Sequence, residues 1–239
     1  LDRCAVWKTA SQEMQLVSME RTRDTGGAEM LRVTHRNPKL DLRLETEYRP
    51  SADGSLHVEC RFVPGNIDLP EIPRLGMTMT LPGAYDMMEW YGRGPGESYP
   101  DRFESALMGR YSSTVWSQYH PYVRAQETGN HCDVRWMAFR DKDGNGFLVS
   151  GDSPLNMGAW NFPASDLEYV PAHIERRHGG SIVPKDMVTV NIDHMMMGVG
   201  GDNTWGAQVH PEYTISPVER SFGFTLKPVK GSDTLSAIR

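Results

Sequence analysis

The chain has 239 residues, of which 38% are hydrophobic and 23% charged, the composition of a soluble globular protein with enough material for one large domain or two small ones. Its net charge of −6 comes without any basic block, which argues against nucleic acid or an anionic membrane as partner. No window approaches the roughly 20 consecutive apolar residues of a membrane span.

The sequence opens on Leu1 with no signal-like segment behind it, and so reads as a piece excised from something longer. Residues 1–10, with Trp7, have the look of a short helix. Residues 14–20 and 30–35 flank Thr25-Gly26-Gly27, which predicts a hairpin. Residues 40–48 alternate strictly, with Leu40, Leu42 and Leu44 on one face and charges on the other, the period of a half-buried antiparallel strand. After the turn signal Ala52-Asp53-Gly54-Ser55, the alternation resumes with Leu56, Val58, Cys60 and Phe62 inward. Three prolines and a glycine in residues 64–73 predict a loop or edge crossing, and mark the best candidate for an internal boundary.

Residues 75–81 and 84–91 read as strands and 93–102 as a long loop, whereas 110–123, rich in aromatics, carries no periodic signal. Residues 134–140 and 147–150 flank Asp141-Lys-Asp-Gly-Asn-Gly146, a hairpin pattern. Ser165-Asp-Leu-Glu168 fits a capping box, which predicts a short helix through Val170. Residues 187–194 and 209–215 read as strands around a glycine-rich loop, residues 221–226 complete the sheet, and 230–239 form a polar, frayed tail. About a dozen strands with two short helices predict an all-β antiparallel sandwich spanning residues 1–230.

The loop between the two late strands reads Met195-Met-Met-Gly-Val-Gly-Gly-Asp-Asn-Thr-Trp205. Gly198, Gly200 and Gly201 give the backbone the freedom of a tight exposed loop, while Asp202 and Asn203 supply side chains that cap turns. On these residues alone, Trp205 either offers its indole to a flat apolar face such as that of a sugar ring, or folds back and fills a core. His194, at the end of the preceding strand, either approaches a ligand or orients the loop.

Other motifs are weaker. Asp141, Asp143, Asn145, Gly146 and Asp152 fit a calcium-loop template formally, but both flanks read as strand and the twelfth position is not Glu, so a β-turn explains the same letters. His173 and His178 are five apart, which puts their rings on different faces of either a helix or a strand and argues against a metal pair. Cys4, Cys60 and Cys132 are odd in number and far apart, neither a disulfide framework nor a zinc site. Glu89, Glu97 and Asp101 lie near aromatics and are the only tempting carboxylates for glycosidase chemistry. No nucleophile elbow, phosphate loop or dinucleotide fingerprint is present.

Glu89-Trp-Tyr-Gly-Arg-Gly-Pro-Gly-Glu-Ser-Tyr-Pro-Asp-Arg102 resembles the Gly-x-Gly-Pro-x-Glu-x-Tyr-x-Asp-Arg segment in the C-terminal domain of large family 2 glycoside hydrolases of the β-galactosidase type. Pro121-Tyr122-Val123 with Glu127 and Gly129 is similar to that domain's Pro-Tyr-Val-x-x-x-Glu-x-Gly segment. Asp193, followed by Gly198-Val-Gly-Gly-Asp202 and Trp205, is similar to a third segment in the same order. The resemblance is specific over residues 75–227 and loose before them; an Arg-Ala-Pro-x-Asp-Asn-Asp segment that precedes the domain in the family is not in this sequence. Arg124-Ala125 replaces the Phe-Pro of some members, which puts in doubt a backbone cation site at that turn.

The resemblance implies an N-terminally truncated, galactose mutarotase-like sandwich from a retaining enzyme that removes terminal β-galactosyl residues. Its catalytic glutamates would lie in a TIM-barrel domain of the same parent chain, so no catalytic residue is expected here. It further implies that Trp205 reaches the sugar site, with Asp202, Asn203 and His194 as neighbouring binding candidates. It implies a homo-oligomeric parent and no cofactor or metal in this segment, any Mg or Na sites lying in other domains. A free-standing aldose epimerase, pairing His120 or His194 with Glu89 or Glu97, and a carbohydrate-binding module are the alternatives on the same scaffold.

Overall fold

The computed structural model describes residues 2–23, 26–168, 178–203 and 205–235. Among these, the strands are β1 (Gln15–Arg23), β2 (Glu29–Asn37), β3 (Leu42–Pro50), β4 (Leu56–Pro64), β5 (Arg74–Pro82), β6 (Met87–Gly94), β7 (Leu107–Thr114), β8 (His131–Arg140), β9 (Gly146–Trp160), β10 (Met187–Met196) and β11 (Arg220–Val229). Every pairing is antiparallel. The main sheet runs β1-β2-β3-β4-β11-β9-β8-β6-β7.

The second layer branches from β9. This strand has 15 residues, and its first part, Gly146 to Gly151, pairs with β11. Its last part, Asn156 to Trp160, pairs with β10, which pairs in turn with β5. The neighbouring strand β8 follows the bend through register shifts around Val134, where Asp133 takes the left-handed φ of 55°. One strand thus serves both layers, and the apolar faces are brought against each other.

Alternation in the sequence dictates which side chains meet there. Val58, Cys60 and Phe62 of β4 and Phe222 and Phe224 of β11 face Leu75 and Leu81 of β5 and Val188, Val190 and Ile192 of β10 in one core. Cys60 Sγ lies 3.5 Å from Met77 Sδ across the layers. Each fully buried side chain of this kind contributes about 1.5–3 kcal/mol. The opposite face of β2, β3 and β4 carries an ion-pair ladder, with Arg32 and Arg49 on Glu47, Arg49 on Glu59, and Arg61 on Glu45 and Glu219. A face that neutralises itself in this way suits water rather than an apolar layer.

The sandwich matches the expected fold, with local corrections. Residues 209–215 do not form a strand: Pro211–Tyr213 is a 3₁₀ turn, because Pro at its first position has a helical φ and no N–H to pair. The N-terminal helix is a 3₁₀ turn over Asp2–Trp7, whose Trp7 packs against Phe62. The helix near Ser165 spans Ala164–Leu167 with Pro163 before it, so Ser165 lies inside it and is not its cap; Val170 lies outside the described residues. Residues 83–84 form a turn and β6 starts only at Met87, and residues 110–123 contain the end of β7 and the 3₁₀ turn Trp116–Gln118. Within residues 64–73, Leu69 and Ile72 belong to the same core as the strands on either side. The tail is not frayed throughout: Leu235 is buried beside Trp136, Ala138 and Leu148, and Asp233 Oδ2 accepts from the Lys230 N–H at 2.8 Å.

Candidate functional site

At the end of β10 the chain leaves the sheet, and three bonds fix its course. The Met197 N–H donates to the Pro73 carbonyl at 3.0 Å, and the Gly198 N–H to the Tyr213 carbonyl at 2.8 Å. The Gly200 N–H donates to Asp101 Oδ2 at 2.7 Å. Beyond this base the loop closes on itself. Asn203 Oδ1 accepts from the Trp205 N–H at 2.8 Å, and Asp202 Oδ1 lies 2.9 Å from His210 Nε2. Gly206 supplies a φ of 105°, accessible to glycine but not to most side chains. Trp205 is 93% exposed, so its indole does not fill a core.

Two further clusters sit behind this loop. Burial raises the Glu97 carboxyl, but the Tyr122 hydroxyl, the Gly129 N–H and Arg102 outweigh it and hold the group below the usual carboxylate range. Arg102 Nη2 donates to Glu97 Oε1 at 2.6 Å and the Gly129 N–H to Glu97 Oε2 at 2.8 Å. In the other cluster Arg74 Nε lies 3.0 Å from Asp193 Oδ2, and Arg74 Nη2 donates to Glu127 Oε1 at 2.9 Å. Burial drives the Asp193 carboxyl up to about 7, against the pull of Arg74, and it raises Glu127 as well. Gly76 makes room for Asp193, because a Cβ there would stand 2.4 Å from Oδ1.

The three sequence segments singled out above therefore meet in space. Glu97, Asp101 and Arg102 come from the first, Tyr122, Glu127 and Gly129 from the second, and Asp193, Gly198 and Gly200 from the third. Arg74 was invisible to sequence reasoning, because it lies outside all three and its partners are distant in the chain. A buried carboxylate needs a cation, so an acidic residue inside the strand-like run of residues 187–194 was the one available signal.

The remaining candidates fall elsewhere. His194 stacks on Phe222, centroids 5.3 Å apart and nearly parallel, away from the bonds that shape the loop. Burial, and secondarily the charge of Arg220, lower its pKa. Glu89 is paired with Arg110, and His120 packs edge-on against Tyr122. None of His120, His194, Glu89 and Glu97 bonds to another of the four among the described residues. Asp141 Oδ1 accepts from the Asp143 and Asn145 N–H groups in a β-turn, while Asp152 pairs with His57, so the calcium template is not assembled. His178 Nδ1 accepts from the Gly180 N–H at 2.9 Å, and His173 lies outside the described residues. No group of three or more His, Cys, Asp or Glu side chains suited to a metal occurs among the described residues.

A family model described as "Beta galactosidase small chain" matches residues 2–226. The sequence is 39% identical over 180 residues to a Beta-galactosidase of Priestia megaterium, covering 74% of this chain and 16% of that protein. It is 34% identical over 192 residues to a Beta-galactosidase of Vibrio cholerae, covering 80% and 17%. A third, from Halalkalibacterium halodurans, is 31% identical over 213 residues, covering 88% and 20%. The chain thus spans a fifth or less of the length of these three relatives. Among solved structures, a GalM/aldose epimerase homologue from C. elegans aligns with a TM-score of 0.42 at 9% identity, covering 90% of this chain and 69% of that one. A likeness of that size carries no functional weight.

Proposed function

Since the chain belongs to the β-galactosidase small-chain family, we propose that it is the terminal sandwich of an enzyme that hydrolyses terminal β-galactosyl residues, as in lactose, with retention. On this reading the glutamates that protonate and attack the glycosidic bond belong to a TIM-barrel domain of the parent chain. The sandwich would contribute Trp205 to one wall of the site, where the indole stacks on the sugar in the leaving-group position. Asp202 and Asn203 would shape the loop rather than touch the ligand, and His194 would brace the strand behind it.

The observation that supports this reading is the exposure of Trp205 on a loop whose base is bonded at three points. A large aromatic in water is unfavourable unless it has a partner, and a fixed loop presents it at small entropic cost. Trp205→Ala in the full-length enzyme tests the reading. KM for lactose, or the affinity for an acceptor sugar, should worsen by roughly tenfold or more, the scale of one lost stacking contact. The melting temperature should barely move, because an exposed side chain contributes little to folding. Wild-type kinetics in this variant would defeat the proposal.

A further inference from the structure

We propose that Asp101 is a positioning residue for Trp205, acting through the backbone of Gly198 and Gly200; this inference rests on the binding role proposed for the indole. Asp101 belongs to the first sequence segment and the glycine loop to the third, and in the folded chain one carboxylate joins them. Its Oδ2 accepts the Gly200 N–H at 2.7 Å, across 99 residues of sequence. The loop is cut to fit that side chain: a Cβ on Gly198 would stand 2.7 Å from Asp101 Cγ, and one on Gly200 would stand 3.3 Å from Oδ2. The glycines are therefore needed for close approach as well as for flexibility.

Asp101 is itself held firmly. Tyr99 and Arg102 exchange backbone hydrogen bonds around it, with Arg102 N–H to the Tyr99 carbonyl at 2.9 Å and the reverse bond at 3.4 Å. The Arg102 guanidinium lies 4.9 Å over the buried Tyr99 ring and bonds Glu97 at 2.6 Å. The other carboxylate oxygen, Oδ1, is buried with no hydrogen-bond partner among the described residues. Such burial costs stability, and the fold tolerates it where the companion oxygen fastens the loop. A rigid anchor at the base of a loop is the arrangement that keeps a side chain farther along it in a productive orientation. The other two tethers, Met197 to Pro73 and Gly198 to Tyr213, fix where the loop leaves the sheet, whereas Asp101 holds Gly200, farther along the loop toward Trp205.

The test is a double-mutant cycle in the full-length enzyme, with Asp101→Ala, Trp205→Ala, the pair, and Asp101→Asn. Removal of one charge-assisted hydrogen bond should raise KM roughly tenfold with a smaller change in kcat. The double variant should be no worse than Trp205→Ala alone, since both changes remove the same contact. Asp101→Asn keeps an oxygen acceptor for the Gly200 N–H and should behave almost as wild type. Gly200→Pro removes the donor from the other side, and it stands in should Asp101→Ala fail to fold. Additive losses, or an impaired Trp205→Ala beside an unimpaired Asp101→Ala, would overturn the proposal. Wild-type kinetics in Trp205→Ala would instead remove the reading beneath it. Faster depolarisation of the exposed indole's fluorescence in Asp101→Ala would still show the anchor, and unchanged depolarisation would refute it.

Discussion

His131 is completely buried, with its ring centroid 4.3 Å from that of Trp90. Nδ1 lies 3.2 Å from the Arg93 carbonyl, which assigns the proton to that nitrogen, and Nε2 is buried with no hydrogen-bond partner among the described residues. Burial lowers its pKa to about 4, with the Arg93 carbonyl pulling the other way. The folded value lies below the unfolded one of about 6.5. The stability it contributes is therefore complete above pH 6.5 and is lost as pH falls toward 4, by roughly 3 kcal/mol in all. An NMR titration of this ring should place its midpoint near pH 4, and a midpoint near 6.5 would contradict the account. Single residues were legible in the sequence where local chemistry decides them. Gly200, Gly201 and Asn203 announce an exposed turn, and the structure has one. Partnerships such as Asp101 with Gly200 or Arg74 with Asp193 were not legible, because they depend on pairings far apart in the chain.

Most strands were readable because one face is wet: β3 and β4 alternate, and their inward residues are the ones in the core. The second half of β9 was missed for the opposite reason. Gly151-Asp-Ser-Pro154 looks like a turn, yet the strand continues through it, and from Leu155 to Trp160 all side chains but Asn156 are buried. A strand covered on both faces loses its alternation. Because β9 is bonded on both sides and belongs to both layers, damage to it should be costly. Met157→Ala, at a fully buried position, is expected to cost about 2–5 kcal/mol in urea unfolding. By contrast β1 is an edge strand with Leu16, Val17 and Met19 exposed, so its amides should exchange with deuterium well before those of β9. Equal protection in the two strands would contradict this ordering.

For the whole molecule, the resemblance carried in three segments described its affiliation better than any periodicity could. Periodicity gave layers, while the segments gave a family. The ladder of Arg and Glu on the outer sheet face is mostly solvent-exposed, and pairs of that kind contribute about 0–1 kcal/mol each and are screened by salt. Raising the ionic strength should therefore shift the melting temperature only slightly. The order in which the strands are joined matters more. The meander β1 to β4 is hydrogen-bonded to the rest of the sheet only through β11, among the described strands. During translation, the free edge of β4 must wait for residues 220–229, more than 150 positions later, before it finds its mate. Until those residues emerge from the ribosome, β4 and β9 each present an unpaired edge that invites aggregation. Nascent chains halted before Arg220 should thus bind holdase chaperones, and release should coincide with the emergence of β11.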